Sequence, residues 1–401
     1  MMRHGLPRLG WLVAGALLLV AGCGGTSGGQ SSGGSGGGSK ASYTITVDSD
    51  TTGVNGLSGV ADSDGFQAYF ANLNKSGGVN GHHVNVESYN DNSDVPTALA
   101  NYQKTLASDS LGFFQNNPSA VIAAVGTKAT LDGIPESNTG GYMAGVGTFP
   151  YIFNENPSGP TFFNIVSKFA ATEIASPKGA KAAFIGYDSA LVESYQPQIG
   201  KALAAKGFKM AYSQLVPPTT VDFSVAAGSI SSAQPAIVVT DLQDQQIVSF
   251  VNGVRQRGYS GPIVNFGSNA SSTSMKKLDD PKMYLVQYTV DPLNTKDPEV
   301  AEVLRVANET GFNQGINQLF YIEAWMFAKV LATAIGKCGD KCTRQSLDSA
   351  LEHTTVNGGT LMAGNPGFSS TNHIMTQAAV VDQWSDANGY LTPVKGFGFS
   401  G

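Results

Sequence analysis

Cysteine, histidine and charge are all scarce in this 401-residue chain, and each scarcity excludes a class of protein. Three cysteines cannot staple a disulfide-framework miniprotein. Five histidines, one of them His4, leave little material for a histidine-built zinc site. Charged residues make up 13%, with 24 basic against 30 acidic and a net charge of −6. A nucleic-acid binder concentrates Lys and Arg to displace counterions from phosphate, and this chain does not. Enzyme motifs are missing too. Outside the Gly/Ser-rich stretch near the start there is no Gly-x-Ser-x-Gly elbow, and there is no His-Glu-x-x-His helix or Walker loop. Gly145-Val146-Gly147 begins like a dinucleotide fingerprint, but Pro150 stands where the third glycine belongs, and a tight turn explains it equally. His82 and His83 alternate faces on a strand and read as a solvated pair. Asp91 and Asp94 lack an EF-hand pattern and suit the start of a helix. The expectation is a protein that is not an enzyme and has no metal or cofactor.

What the chain does have begins with an address. Arg3 and Arg8 precede an uncharged apolar run from Leu9 to Gly22, shorter than the ~20 residues that cross a bilayer. The run ends in Val20-Ala21-Gly22-Cys23, which resembles a bacterial lipobox, whose cysteine is acylated after cleavage just before it. The alternative is an ordinary signal peptide with an incidental Cys23. Residues 24–39 read GGTSGGQSSGGSGGGS, a flexible coil spanning roughly 20–25 Å. No later run reads as a membrane span, so the body after Lys40 is expected to be soluble and extracytoplasmic. Cys338 and Cys342 then remain as a pair four residues apart, within reach of a local disulfide; a metal site would need two more soft ligands.

From Ser42 onward strand-like and helix-like segments alternate. YTITVD, HHVNVESYND, AVIAAVG, GGYMAGVGTFP, KAAFIGY, PAIVVTD and GPIVNFG read as strands. GFQAYFANLNKSGG, VPTALANYQKTLAS, LVESYQPQIGKALAAKGF, QDQQIVSFVNGVRQRGY, Glu299–Ala307 and Gln318–Gly336 read as helices. TQAAVVDQW and YLTPV, joined at Asn388-Gly389, suit a hairpin. This alternation predicts an α/β protein with two doubly wound, mainly parallel-sheet domains.

The order of segments resembles the type I periplasmic binding proteins, and within them the branched-chain amino-acid receptors of ABC importers. The resemblance is carried by the opening strand with its Gly-rich loop, LNKSGGVNGHHV, YNDNSD, AVIAAVGTKAT, GYMAGVGT, the helix around YIEAW, CGDKC before RQSLDSALE, and the final hairpin. It implies two lobes joined by three crossovers, near residues 161–167, 284–292 and 365–375, with a ligand cleft between them. The division would be 1–22 signal peptide, 23–40 acylated Cys23 and linker, 41–165 with 290–365 as lobe 1, and 166–289 with 366–401 as lobe 2.

The resemblance also implies site residues. Gly126 and Thr127, then Gly147 and Thr148, match loops that offer N–H groups and hydroxyls to a carboxylate, although tight turns need the same glycines. Asn55 would line the cleft wall, and Tyr187, Asp188, Leu191, Asp241, Gln243 and Asp244 follow strands of the second lobe. Amino-acid receptors of this branch carry an acid after the strand matching GPIVNFG, but here Phe266-Gly267-Ser268-Asn269 has none. Asp241 or Asp244 would have to substitute; a carboxylate, amide or other neutral polar ligand is the alternative. The expected partners are a small molecule, membrane permease subunits and a lipid anchor, with no nucleic acid. Sensing for a membrane receptor and surface catalysis are the competing functions.

Overall fold

Two mainly parallel sheets are built from short strands, most of them ending in Ser, Asn, Asp or Tyr; the computed structural model describes residues 40–53, 55–139, 150–266 and 270–398. The first sheet holds β1 (Tyr43–Ser49), β2 (Val84–Tyr89), β3 (Phe113–Asn116), β4 (Glu136–Asn138) and β5 (Ile152–Asn154). Its order is β2-β1-β3-β4-β5, parallel throughout. The second holds β6 (Lys181–Tyr187), β7 (Lys209–Val216), β8 (Ile237–Asp241), β9 (Ile263–Asn265), β10 (Met283–Gln287), β11 (Val380–Ser385) and β12 (Tyr390–Pro393). Its order is β12-β11-β10-β9-β8-β6-β7, with the two last strands antiparallel as the hairpin reading expects.

Helices cover both faces of each sheet, as parallel strands require. On the first, α1 (Gly56–Lys75), α9 (Pro298–Thr310) and α10 (Leu319–Cys338) share one core with Ile45 and Val47, and α11 (Arg344–Leu351) packs on α10. On its other face α2 (Val95–Ala107) and α3 (Ser119–Asp132) enclose Tyr102, Phe113 and Val125. On the second sheet successive residues of β6, β8, β9 and β10 enter opposite cores. Ala182 and Phe184 enter the core with α4 (Gly159–Glu173) and α5 (Ala190–Ala205). Ala183 and Ile185 enter the core with α6 (Ser224–Ala233), α7 (Asp244–Gln256) and α8 (Ser272–Leu278). Local chemistry sets the helix ends: Asp94 accepts from the Thr97 N–H at 3.0 Å, and Asp297 caps α9 ahead of Pro298.

No run after Lys40 was expected to read as a membrane span, yet helix α10 is long and apolar enough to cross one. Here its sides are taken up by protein: 83% of its most apolar window is buried. It meets α1 backbone to backbone at Gly65, where a Cβ would stand 2.4 Å from the Tyr321 carbonyl oxygen. His82 also departs from expectation. It is buried, stacks on Tyr43 with ring centroids 4.5 Å apart, and has Nδ1 2.6 Å from the Ala41 carbonyl oxygen. An imidazole packed on a phenol ring is shielded in a way that strand alternation alone does not reveal. AVIAAVG, expected as a strand, lies within α3; GGYMAGVGTFP, apart from Pro150, lies outside the described residues.

The chain passes between the sheets after β5, after β10 and before β11. The first passage precedes the expected 161–167, because Phe162, Phe163, Val166 and Phe169 already form the buried face of α4. The third follows 365–375, because Met375 still donates its N–H to the Asn154 carbonyl at 2.7 Å. The second passage also pairs with the segment around 361–363, Val290 N–H to Leu361 O at 2.9 Å and Ala363 N–H to Tyr288 O at 2.7 Å.

Beyond α10, Cys338 and Cys342 bring their sulfurs to bonding distance with Cα atoms 5.1 Å apart. Mass spectrometry of an unreduced digest should find the two peptides linked; two freely alkylated thiols would reject the bond.

Candidate functional site

Each sheet changes its winding direction once, between β1 and β3 in the first and between β6 and β8 in the second. At such a point the helices leave the strand ends in opposite directions and open a crevice. The two crevices share one cavity of about 370 Å³. From the first sheet come Asn55 and Ser58 after β1, Asn116 to Ser119 after β3, and Thr139 after β4. From the second come Tyr187, Ser189 and Leu191 after β6, Pro218 and Thr219 after β7, and Asp241 and Gln243 after β8. Asn156, in the first passage, and Phe320, on α10, complete the wall.

The loops are built before any ligand arrives. Asn117 bridges the first crevice: its Oδ1 accepts from the Asp50 N–H at 3.1 Å, and its Nδ2 donates to the Asp48 carbonyl at 3.1 Å. Asp50, fully buried, accepts from the Gly53 and Asn55 N–H groups at 2.5 and 2.9 Å and from the Ser93 hydroxyl. In the second sheet Asn265 accepts from the Leu242 N–H at 3.0 Å and the Thr240 hydroxyl at 2.7 Å. Gln246 donates to the Pro217 carbonyl at 3.1 Å, fixing the β7 loop against α7.

The structure brings together five of the residues singled out from sequence: Asn55, Tyr187, Leu191, Asp241 and Gln243. It separates four others from the cavity lining. Gly126 and Thr127 lie inside α3, where Thr127 is exposed and its hydroxyl donates to the Ala123 carbonyl at 2.9 Å. The spacing Val121, Val125, Ala129 buries one helical face, so the apolar run is helical and the preceding segment supplies the loop. Asp188 is exposed. Asp244 accepts from the Ser271 N–H at 2.7 Å and hydroxyl at 2.9 Å, so it holds the start of α8. Gly147, Thr148 and Asn269 lie outside the described residues, as do the Cys23 signal and linker. Sequence reading missed Asn116, Asn117, Ser119 and Asn156. The Asn-Asn-Pro-Ser turn ahead of a helical period was the available signal for the first three.

The model of the periplasmic binding protein family matches residues 42–389. A comparison with curated proteins finds no match. Among solved structures, a branched chain amino acid ABC transporter from Thermus thermophilus with bound valine superposes with a TM-score of 0.77 at 13% identity, covering 89% of this chain and 96% of that one. A fatty acid ABC transporter substrate-binding protein from Thermomonospora curvata gives 0.75 at 15%, over 90% and 92%. A solute binding protein from R. palustris in complex with 4-hydroxybenzoate gives 0.71 at 16%, over 88% and 95%. At these identities the likeness is one of fold.

Asp241 is the one charged side chain lining the cavity among the described residues. Behind the wall lie three buried acids. Asp62 accepts from the Ser49 hydroxyl at 3.1 Å, Glu155 from Ser137 at 2.6 Å, and Glu323 sits 2.6 Å from the Tyr288 hydroxyl. Burial pushes Asp62 up to about 7 and Glu323 to about 8. Glu155 is held well above its ordinary value, by burial first and then by Asp62 and Glu323. Burial likewise raises Asp382 to about 7. Each binds its proton more tightly folded than unfolded, so stability falls as pH rises from the unfolded toward the folded value. Thermal melts should therefore be highest near about pH 5 and decline toward about pH 8, and Glu323→Gln should flatten that decline. A melting temperature that rises over this interval would contradict the assignment.

Proposed function

The chain belongs to the periplasmic binding protein family, and from that premise we propose that it is an extracytoplasmic solute-binding lipoprotein that captures a small polar ligand by lobe closure and delivers it to an ABC importer. The observation that carries the reading is the cavity at the paired winding reversals, with Asp241 and the start of α3 both in its lining. A helix N-terminus presents N–H groups to an oxygen acceptor, here around Pro118 and Ser119. Asp241 takes a hydrogen-bond donor or an ammonium, and Ile122, Leu191 and Phe320 take an apolar body. An amino acid, or a related carboxylate or amide, combines those features, and a cavity of about 370 Å³ suits that size. The site binds its ligand without transforming it.

Lobe 1 in this reading consists of β1 to β5 with α1 to α3 and α9 to α11, and lobe 2 of β6 to β12 with α4 to α8. Closure about the three passages would create the surface that permease subunits recognise. Cys23, acylated after removal of residues 1–22, would anchor the protein, and the Gly/Ser linker would hold its body off the membrane.

A thermal-shift screen of amino acids, carboxylates, amides and sugars tests the reading. A ligand at 100 times its dissociation constant should add about 2.7 kcal/mol. Asp241→Asn should weaken an ammonium-bearing ligand by at least about tenfold, whereas Thr127→Ala, on the exposed face of α3, should leave affinity unchanged. A screen with no stabilising compound, or a hit indifferent to Asp241→Asn and to substitution of Ser119, would sink the cavity assignment. For the anchor, Cys23→Ala should leave the protein unprocessed or released from the membrane fraction. Wild-type protein with a mature N-terminus elsewhere would remove the lipoprotein.

A further inference from the structure

Asn156 stands on the cavity wall in the passage after β5, 2% exposed, and its side chain is held from both ends. One end of the amide lies 2.9 Å from the Thr139 carbonyl oxygen and 3.3 Å from Glu323 Oε1; the other lies 3.0 Å from Tyr288 Oη. Tyr288 Oη in turn lies 2.6 Å from Glu323 Oε2. A main-chain carbonyl can only accept, so the end beside Thr139 is Nδ2, and Oδ1 faces the phenol. Oδ1 then needs the phenol proton. Tyrosine has one, so the short contact between Tyr288 and Glu323 requires a proton of the carboxyl's own. All four contacts are satisfied together only when Glu323 is neutral.

We propose that the proton on Glu323 fixes the orientation of the Asn156 amide through Tyr288, so that the cavity wall changes its hydrogen-bonding character when that proton leaves. With the carboxyl neutral, Oδ1 spends one lone pair on Tyr288 and keeps the other for an N–H of a bound molecule. With the carboxyl ionised, the Tyr288 O–H turns to donate a hydrogen bond to Glu323, Oδ1 is left against a phenol lone pair, and the amide must reorient. The surroundings favour the neutral form. Asp62 from α1 faces Glu323, Glu155 shares the cluster, and Glu136 from β4 further disfavours charge on Glu155 by repulsion. All are acids, and burial with this repulsion holds Glu323 at about 8. The consequence for binding rests on the cavity being the ligand site; the proton relay itself needs no ligand.

The test therefore uses the full chain alone, with isotope-labelled asparagine. The Asn156 side-chain amide signals, identified by their loss in Asn156→Asp, are followed from about pH 6 to about pH 9.5 beside the infrared band of protonated carboxyls. The expected result is a shift with a midpoint near about pH 8, in step with loss of the band. Glu323→Gln, whose amide mimics the neutral acid, should hold Asn156 at its low-pH position throughout. In Tyr288→Phe the signals should no longer follow the band. Asn156 signals that stay still in the wild type, or that titrate unchanged in either variant, would overturn the relay. Neither outcome bears on the ligand screen, so the two readings fail separately.

Discussion

Asn117 holds together the ends of β1 and β3 at the point where their helices diverge, and the cavity exists because that gap is braced instead of filled. Its amide spans from the Asp48 carbonyl to the Asp50 N–H, while Asp50 gathers the N–H groups of the following loop. Two parallel strands that send their helices to opposite faces cannot cover the space between their own ends. A buried side chain with a donor and an acceptor satisfies the backbone there and leaves the outer face open. In the second sheet Asn265, at the end of β9, secures the neighbouring end of β8 by accepting from the Leu242 N–H and the Thr240 hydroxyl.

The scarcity of charge has a structural counterpart. The cavity lining is amide, hydroxyl and apolar, with Asp241 alone carrying charge among the described residues. Behind it the acids Asp62, Glu155 and Glu323 are buried with hydroxyl partners. Ionised carboxylates so placed would each cost several kcal/mol, so the proton takes the part of a counter-ion. That arrangement joins regions distant in sequence: Asn156 follows β5, Tyr288 follows β10, and Glu323 lies on α10. Two of the three sit on chain passages between the sheets.

Much of the architecture was legible from residue order alone. The strand ends at Tyr187 and Asp241, the helices beginning near Asp94 and Pro298 and the terminal hairpin follow from local pattern and capping chemistry. These depend on neighbours a few positions away. The AVIAAVG run shows the limit, since a seven-residue apolar stretch satisfies both a buried strand and a buried helix. Its environment decides: Val121, Val125 and Ala129 pack with α2 against Phe113, which only a helix permits.

The site divides along the same line. The family resemblance carried by the sequence placed Asn55, Tyr187, Leu191, Asp241 and Gln243 among the candidates, at or just beyond the ends of strands. Tertiary structure alone decided that Asp244 is used up holding Ser271, that Thr127 turns to solvent, and that Asn156 belongs to the wall. Those outcomes depend on which partner reaches a polar group first. Partners such as Tyr288 and Glu323 arrive from more than a hundred residues away, where no local pattern records them.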